Sequence, residues 1–145
     1  MSATDQSAKR AAVLQYYEQS DAGQFPMELF TADFQFFVPK FGVGRGLEAF
    51  TEMAAKMGVR QIHHNPTSLL LIEDGDHVAV EGLTEGVTAD GAAWCGGLTP
   101  AGRFASVFSF NQDGLIERMH IYLDPDFGGR HTEGFKWSRG DAQAW

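Results

Sequence analysis

The sequence is poor in cysteine, in positive charge and in long apolar runs, and each shortage excludes a class of protein. The single Cys95 cannot form an intrachain disulfide, which fits a reducing compartment. Eleven Lys and Arg against 19 Asp and Glu leave a net charge of -8, so we expect no binding of nucleic acid or anionic membranes. No apolar run approaches the roughly 18 residues of a membrane span, and the N-terminal residues lack the apolar segment of a signal peptide. We therefore expect a cytoplasmic protein.

Aromatic and apolar residues are abundant. A chain of 145 residues that is 43% hydrophobic suits one domain, residues 1–145, with a substantial core. Its 12 phenylalanines are enough to fill a large core or to line an apolar pocket. The composition therefore leaves a small hydrophobic molecule as a possible partner.

The order of local patterns predicts an α+β fold with helices packed on one face of a mostly antiparallel sheet. Apolar residues at helical spacing predict three helices, over Ala8–Ser20, Pro26–Phe30 and Leu47–Met57. The aromatic run Asp33–Val38 predicts a strand between the second and third helices, and residues 41–46 read as a loop. Four more strands are predicted over Pro66–Glu73, His77–Thr88 and the two arms of a hairpin within Gly102–Asp124, with Asp90–Gly102 as a long connection.

The hairpin has two chemically different faces. Asp113-Gly114 between two alternating runs is a strong hairpin signal, because glycine accepts a positive φ without steric cost. On the second arm, the apolar residues Met119, Ile121 and Leu123 alternate with His120, Tyr122 and Asp124. One face is expected to line a pocket, and the other needs cover that one short chain does not provide. This predicts a homodimer that forms through the sheet.

Short motifs along the chain occur in a recognisable order. They are Tyr16–Gly23, Leu29–Asp33 and Gly44–Gly46 in the helical half, and Glu73–Asp76, Gly102–Arg103 and Phe110–Asp124 in the sheet half. This ordered set resembles the nuclear transport factor 2-like superfamily, also called SnoaL-like, over about residues 8–126. The resemblance implies a cone-shaped, curved antiparallel sheet wrapped around N-terminal helices, an enclosed apolar pocket and no cofactor. It leaves residues 127–145 as a C-terminal tail.

Two catalytic sets of this superfamily are incomplete in the chain. Tyr16 falls where ketosteroid isomerase keeps its oxyanion-binding tyrosine, but Val38 replaces the general base of that enzyme. Its second oxyanion-binding carboxyl group would lie near Ser106 of this chain. The alternative role of Tyr16 is to pack the helix on the sheet. Asp124 matches the last-strand aspartate of limonene-epoxide hydrolase, but Glu81-Gly82-Leu83 keeps one acid where that enzyme has an Arg-x-Asp pair.

Dehydratases of the superfamily use histidines, a tyrosine and an aspartate. His63, His64 and His120 offer the histidines, and Asp21 lies near the helix end where scytalone dehydratase has its aspartate. Histidine is well suited to proton transfer near neutral pH. The alternatives are that Asp21 is a turn residue, that one of the adjacent histidines is exposed, and that His120 lies at a sheet surface or dimer contact.

Three acids on the predicted strands have two interpretations each. Asp124 is the principal candidate for general acid or base because it ends the last strand and shares a face with His120 and Tyr122; otherwise it forms a turn before Pro125. Glu81 and Glu85 share a strand face, which is either concave and in the pocket, where burial would favour proton transfer, or convex and solvated. No HxH or HExxH spacing occurs, so we expect no metal.

We therefore expect a cofactor-independent lyase, dehydratase, isomerase or cyclase that acts on a small aromatic, polyketide-like or terpenoid- or steroid-like molecule. The alternative is a non-catalytic ligand-binding or dimerisation module. The expected catalytic residues are Asp124, Tyr16, His64 and His120. The expected substrate-binding residues are Tyr17, Phe36, Val38, His63, Glu81, Glu85, Trp94, Phe104, Ser106, Phe108 and Tyr122. The aromatic tail 125–145 is expected to pack over the pocket mouth or onto the partner subunit.

Overall fold

The structure is a computed structural model and describes residues 7–131. Its two helices are α1 (Ala8–Asp21) and α2 (Gly46–Lys56). Its strands are β1 (Phe30–Val38), β2 (Gly42–Arg45), β3 (Val59–His64), β4 (Leu70–Asp74), β5 (His77–Thr88), β6 (Ala93–Cys95), β7 (Arg103–Phe110) and β8 (Ile116–Leu123). Single 3₁₀ turns occur at Met27–Leu29 and Pro66–Ser68.

Helix α1 begins and ends at residues that suit those positions. The Ser7 hydroxyl accepts a hydrogen bond from the backbone N–H of Arg10, which satisfies a free donor of the first turn. Gly23, just after the helix, has a φ of +83° and lets the chain reverse. The helix buries Val13, Tyr16 and Tyr17 against the sheet. Its last residue, Asp21, is thereby fixed at the edge of the buried face.

The strands form a curved, mixed sheet. The order is β2-β1-β8-β7-β5-β3, and β4 and β6 also pair with β5. Every pairing is antiparallel except that of β1 with β8. Register shifts in the β1–β8, β3–β5 and β7–β8 pairings bend the sheet around α1. The predicted α+β cone is confirmed.

The inner face of the sheet and α1 enclose an aromatic core. In the β7–β8 register, Phe104 faces Leu123, Ser106 faces Ile121 and Phe108 faces Met119. These residues lie on the inner face, and the core continues into β1, β5 and both helices. Its fully buried members include Val13, Phe34, Phe36, Val38, Val78, Val80, Phe108, Ile116 and Met119.

Several predicted elements differ from the structure. The predicted second helix is one 3₁₀ turn, and residues 66–68 form a second such turn at the start of the predicted strand. The predicted loop 41–46 contains β2, and the predicted connection 90–102 contains β6. Strand β3 was not predicted, because VRQIHH is polar and lacks apolar alternation. It is held in place by its pairing with β5.

A smaller core cluster lies beside β3 and β6. Trp94, Ala101 and Phe127 are buried there, and the rings of Trp94 and Phe127 are 4.4 Å apart. Phe127 therefore fastens the beginning of the C-terminal segment to the sheet. The rest of the predicted aromatic tail, from residue 132, lies outside the described residues.

Candidate functional site

A cavity of about 370 Å³ opens between the C-terminal half of α1 and the end of β3. Its lining residues are Leu14, Tyr17, Glu18, Asp21, His63, His64, Pro66 and Leu69. Apolar side chains form most of the wall, and the titratable groups are contributed by α1 and β3. The cavity therefore brings an acid–base cluster next to an apolar surface.

Asp21 and His64 form the closest polar contact in this cavity. Asp21 Oδ1 lies 2.7 Å from His64 Nδ1, and Asp21 Oδ2 accepts the backbone N–H of His64 at 2.8 Å. Their side chains are only 10% and 16% exposed. Because an ionised carboxylate can only accept, Nδ1 of His64 carries the proton, and Nε2 of the neutral ring is left as an acceptor.

The position of Asp21 explains why these donors are needed. Asp21 is the last residue of α1, where the unpaired carbonyls make the negative end of the helix, and the last turn contains no basic residue. A carboxylate is unfavourable at that end. The two donors of His64 offset this cost, and the sheet holds them in place because His64 pairs with Thr84 of β5.

His63 approaches the same carboxylate from the solvent side. Its Nδ1 is 3.3 Å from Asp21 Oδ2, and its side chain is 53% exposed. It pairs with Glu85 across β3 and β5. The prediction that His63 and His64 lie at one pocket agrees with their positions, with His64 as the inner member.

Tyr17 packs its ring against the His64 ring and has a buried hydroxyl. The two ring centroids are 4.7 Å apart, and the Phe104 ring meets the His64 ring edge-on at 5.0 Å. The Tyr17 hydroxyl has no hydrogen-bond partner of good geometry among residues 7–131, although Ser106 lies beside it. Burial raises the pKa of Tyr17 far above its usual value, and Ser106 only partly opposes that shift. The hydroxyl is therefore a neutral donor.

Tyr16 lies in the core and does not line this cavity. Its ring packs against Phe25, Phe30 and Phe108. Burial raises the pKa of Tyr16, and a hydrogen bond with Ser20 partly opposes the shift. The structure therefore matches the packing alternative for Tyr16 rather than the oxyanion role.

The row Asp124, Tyr122 and His120 does not enter the pocket, so its expected place there is wrong. The register that turns Met119, Ile121 and Leu123 inward turns His120 and Tyr122 outward, and Asp124 follows the end of β8. Asp124 is exposed, and its Oδ1 accepts the backbone N–H of Asp126, as the turn alternative requires. Tyr122 is 46% exposed.

His120 is buried on that outer face by its neighbours. Its Nε2 is 2.8 Å from Gln35 Oε1, and its Nδ1 is 3.1 Å from an Arg118 guanidinium nitrogen. Arg118 Nε also lies 3.0 Å from Nε2. A neutral ring that donates from Nε2 to Gln35 and accepts at Nδ1 from Arg118 satisfies two of these three contacts. Burial, and then the charge of Arg118, lower the pKa of His120. Its environment matches the sheet-surface alternative.

The remaining expected site residues fall into three places. Glu81 and Glu85 are exposed on the outer face, so the convex alternative is correct and their placement in the pocket is wrong. Trp94 belongs to the smaller cluster, where its Nε1 donates to Thr84 Oγ1 at 3.1 Å. The inner-face residues Phe36, Val38, Phe104, Ser106 and Phe108 are core residues, of which Phe104 and Ser106 adjoin the His64–Tyr17 pair.

The sequence leaves Asp21 open between a turn residue and a dehydratase-like aspartate, and it does not indicate the lining residues Leu14, Glu18, Pro66 and Leu69. The available signal was Asp21 at a helix end together with the adjacent His63-His64. It could not be used because β3, which carries both histidines to the helix end, was not predicted.

A second cavity of about 380 Å³ lies between the end of α2, the end of β5 and residues 125–130. Its carboxylates are already engaged: Asp90 bonds Thr88 and Arg130, and Asp126 accepts the backbone N–H groups of Arg130 and His131. The hydrogen bond from Thr88, and then that from Arg130, lower the pKa of Asp90. The cavity at α1 and β3 is therefore the better candidate site.

Within residues 7–131, no three His, Cys, Asp or Glu side chains are grouped so as to hold a metal ion. Neither helix in this part of the chain is long and apolar enough to cross a membrane.

Comparisons with known proteins agree on the fold. A protein of the nuclear transport factor 2-like type from Burkholderia pseudomallei superposes with a TM-score of 0.70 at 15% identity, covering 83% of this chain and 93% of its own. TerC, co-crystallised with polyporic acid, gives a TM-score of 0.68 at 19% identity, with 81% and 92% covered. A candidate SnoaL-like polyketide cyclase from a Jannaschia species gives 0.65 at 17% identity, with 83% and 91% covered. These identities show the fold alone.

Sequence comparison adds the family. No curated protein sequence matches the chain. The model of the SnoaL-like domain, in contrast, matches residues 11–119, which include α1, the candidate site and most of the sheet. The chain therefore belongs to the SnoaL-like domain family of the nuclear transport factor 2-like superfamily.

Proposed function

We propose that this protein is a cofactor-independent acid–base enzyme of the lyase, dehydratase, isomerase or cyclase type. The observation that supports the proposal is the Asp21–His64 pair, 2.7 Å apart and largely buried, on the wall of an otherwise apolar cavity. The SnoaL-like family and its polyketide cyclase candidates among structural neighbours support an activity of the cyclase or isomerase type.

His64 is the proton carrier in this proposal. Asp21 holds Nδ1–H, so Nε2 can accept a proton from a substrate carbon or hydroxyl, and the carboxylate stabilises the imidazolium that forms. Asp21 is thus a positioning residue. His64 was already an expected catalytic residue, and in this proposal it takes the principal acid–base role that the sequence gave to Asp124. His120 has no role in this proposal.

Tyr17 is the hydrogen-bond donor in this proposal. Its buried hydroxyl is neutral and unpaired among the described residues, so it can donate to an oxyanion that develops as the proton leaves. Ser106 lies beside it and can complete the hydrogen bonding. Tyr17 replaces its neighbour Tyr16 in this role.

The substrate class is a small hydrophobic molecule, with aromatic or polyketide-like compounds first and terpenoid- or steroid-like compounds second. Leu14, Tyr17, Pro66 and Leu69 give the cavity an apolar wall. TerC was crystallised with polyporic acid, and other structural neighbours are polyketide cyclase candidates. These descriptions apply to the neighbours, and they support the choice of aromatic and polyketide-like probes for this protein. A cytoplasmic location is part of the proposal and is supported by the single cysteine.

The proposal is tested by turnover in matched variants. A panel of uncharged phenolic, polyketide-like compounds is incubated with the protein, and products are followed by liquid chromatography and mass spectrometry. With a turned-over compound, we expect His64→Gln and Asp21→Asn to lower kcat by about 10²–10⁴-fold, the usual contribution of general acid–base groups. Asp124→Asn is the matched control and should keep wild-type turnover. A His64→Gln variant with wild-type kcat would contradict the proposal.

A non-catalytic ligand-binding module is the second candidate. The observation that favours it is the dense interior: Phe36, Val38 and Phe108 are at most 3% exposed and occupy space that a deep pocket would need. Binding of panel compounds without any product, unaffected by His64→Gln, would establish this alternative.

A further inference from the structure

The permanent charges around the candidate cavity are all of one sign. Glu18 and Asp21 line it from α1, and no Lys or Arg is among its lining residues. His63, His64 and Tyr17 are its other titratable lining residues. The cavity therefore has two negative charges and no permanent positive charge to offset them.

The backbone adds to this negative potential. Glu18 and Asp21 are in the last turn of α1, which contains no basic residue. The carbonyl end of the helix therefore adds a partial negative charge to theirs. On the neighbouring strand, exposed Glu85 pairs with His63 and adds a third carboxylate nearby. An apolar wall screens such charges less than water does.

Glu18 differs from Asp21 in how it is engaged. Asp21 is held by His64 through two hydrogen bonds. Glu18 is exposed, and among residues 7–131 its carboxylate has no ion pair or hydrogen bond. Its charge therefore acts on what enters the cavity rather than on a neighbour within the protein.

We propose that this cavity selects uncharged aromatic molecules and rejects their carboxylates, with Glu18 as the residue that determines this specificity. The proposal deepens the proposed function and rests on it for the identity of the site. A neutral substrate also suits the chemistry there. When Nε2 of His64 accepts its proton, the new imidazolium balances the new oxyanion, and the net charge of the site stays constant. A carboxylate substrate would instead become a dianion next to Asp21 and Glu18.

The proposal can be tested by binding, without a known substrate. The probes are methyl 2-naphthoate and 2-naphthoate, which share a ring system and differ in charge, and affinities are measured by NMR titration of the protein amides. We expect the ester to bind about tenfold or more tightly than the carboxylate at low salt. Added salt should narrow the difference, because the charge of Glu18 is exposed.

Two variants separate the effect of Glu18 on probe binding from the effect of the protein's net charge. Glu18→Gln should raise the affinity for 2-naphthoate several-fold and leave that for the ester within about twofold. Glu48→Gln removes the same charge from an exposed position on α2, outside the cavity, and should change neither affinity. Equal affinities for the two probes, no binding of the ester, or equal effects of the two substitutions would overturn the proposal.

The outcome is distinguishable from failure of the proposed function. Selective binding of the ester without turnover of any panel compound would refute the proposed enzymatic activity and support the proposed selectivity. Turnover that is lost in His64→Gln, together with equal binding of ester and carboxylate, would support the enzymatic activity and refute the selectivity.

Discussion

Two adjacent tyrosines of α1 differ in what surrounds their hydroxyl groups. Tyr16 is enclosed by phenylalanine rings of the core and interacts with Ser20. Tyr17 packs on His64, and its hydroxyl is buried without a well-formed hydrogen bond within residues 7–131. A buried, unpaired hydroxyl costs free energy, and a ligand that accepts its hydrogen bond would recover that cost.

This difference gives a prediction at the two positions. Tyr17→Phe should leave the free energy of unfolding unchanged or raise it by up to about 1 kcal/mol, because it removes an unpaired buried polar group. It should also lower kcat by about 10²–10³-fold, as loss of an oxyanion donor does. Tyr16→Phe is the control and should keep turnover. Urea unfolding and steady-state kinetics measure both; a destabilised Tyr17→Phe with normal kcat would show that the hydroxyl is structural.

Residue types at the site were predictable, but their partners were not. The sequence indicated histidine chemistry at His63 and His64 and left Asp21 open, and the structure joins these three residues. It also indicated Asp124, which the structure places in an exposed turn. The alternation of β8 shows that two faces exist, but only packing against α1 decides which one is concave.

At the scale of elements, β3 depends on a glycine of its neighbour. Gly86 of β5 faces Ile62 of β3 on one side and Trp94 of β6 on the other. A Cβ at this position would lie 2.1 Å from the Gln61 carbonyl oxygen and 2.5 Å from the Trp94 ring. Glycine is therefore required here by close approach of the backbone.

We expect Gly86→Ala to destabilise the protein by about 1–3 kcal/mol, the usual cost of overpacking, because a backbone oxygen cannot move aside as a flexible side chain can. Gly128→Ala is the matched control, since the nearest atom to its Cβ would be 4.0 Å away. Urea denaturation curves compare the two variants with the wild type. Equal midpoints for all three proteins would show that β3 and β6 adjust to the added methyl group.

The elements that sequence patterns reveal are those with strong alternation or turn chemistry. The β7–β8 hairpin and β5 were predicted because apolar residues recur every second position and Gly114 fits the turn. Strands β2, β3 and β6 were missed because β3 is polar and β2 and β6 have only four and three residues. Strands β3 and β6 owe their existence to pairing with β5, and β2 to pairing with β1, and local patterns do not show such pairings.

For the whole molecule, the outer face of the sheet has a row that is apolar except for His120. Cross-strand partners run from Val43 through Phe37, His120, Val107 and Ala79 to Ile72. Leu70 and Tyr122 flank this row. The exposures of Val43, Leu70, Ile72 and Tyr122 are 61%, 54%, 60% and 46%. Exposed apolar patches of this kind are typical of interaction surfaces.

We propose that a second copy of the chain covers this outer face in a homodimer. The double substitution Ile72→Lys with Tyr122→Lys should leave the monomer fold intact, since both side chains are exposed, but should dissociate the dimer by placing like charges opposite each other. Leu98→Lys is the control, because Leu98 is 63% exposed but lies outside the named strands. Sedimentation velocity at micromolar concentration should show a dimer for the wild type and for Leu98→Lys, and a monomer with an unchanged circular dichroism spectrum for the double variant. A wild-type protein that sediments only as a monomer would refute the proposal.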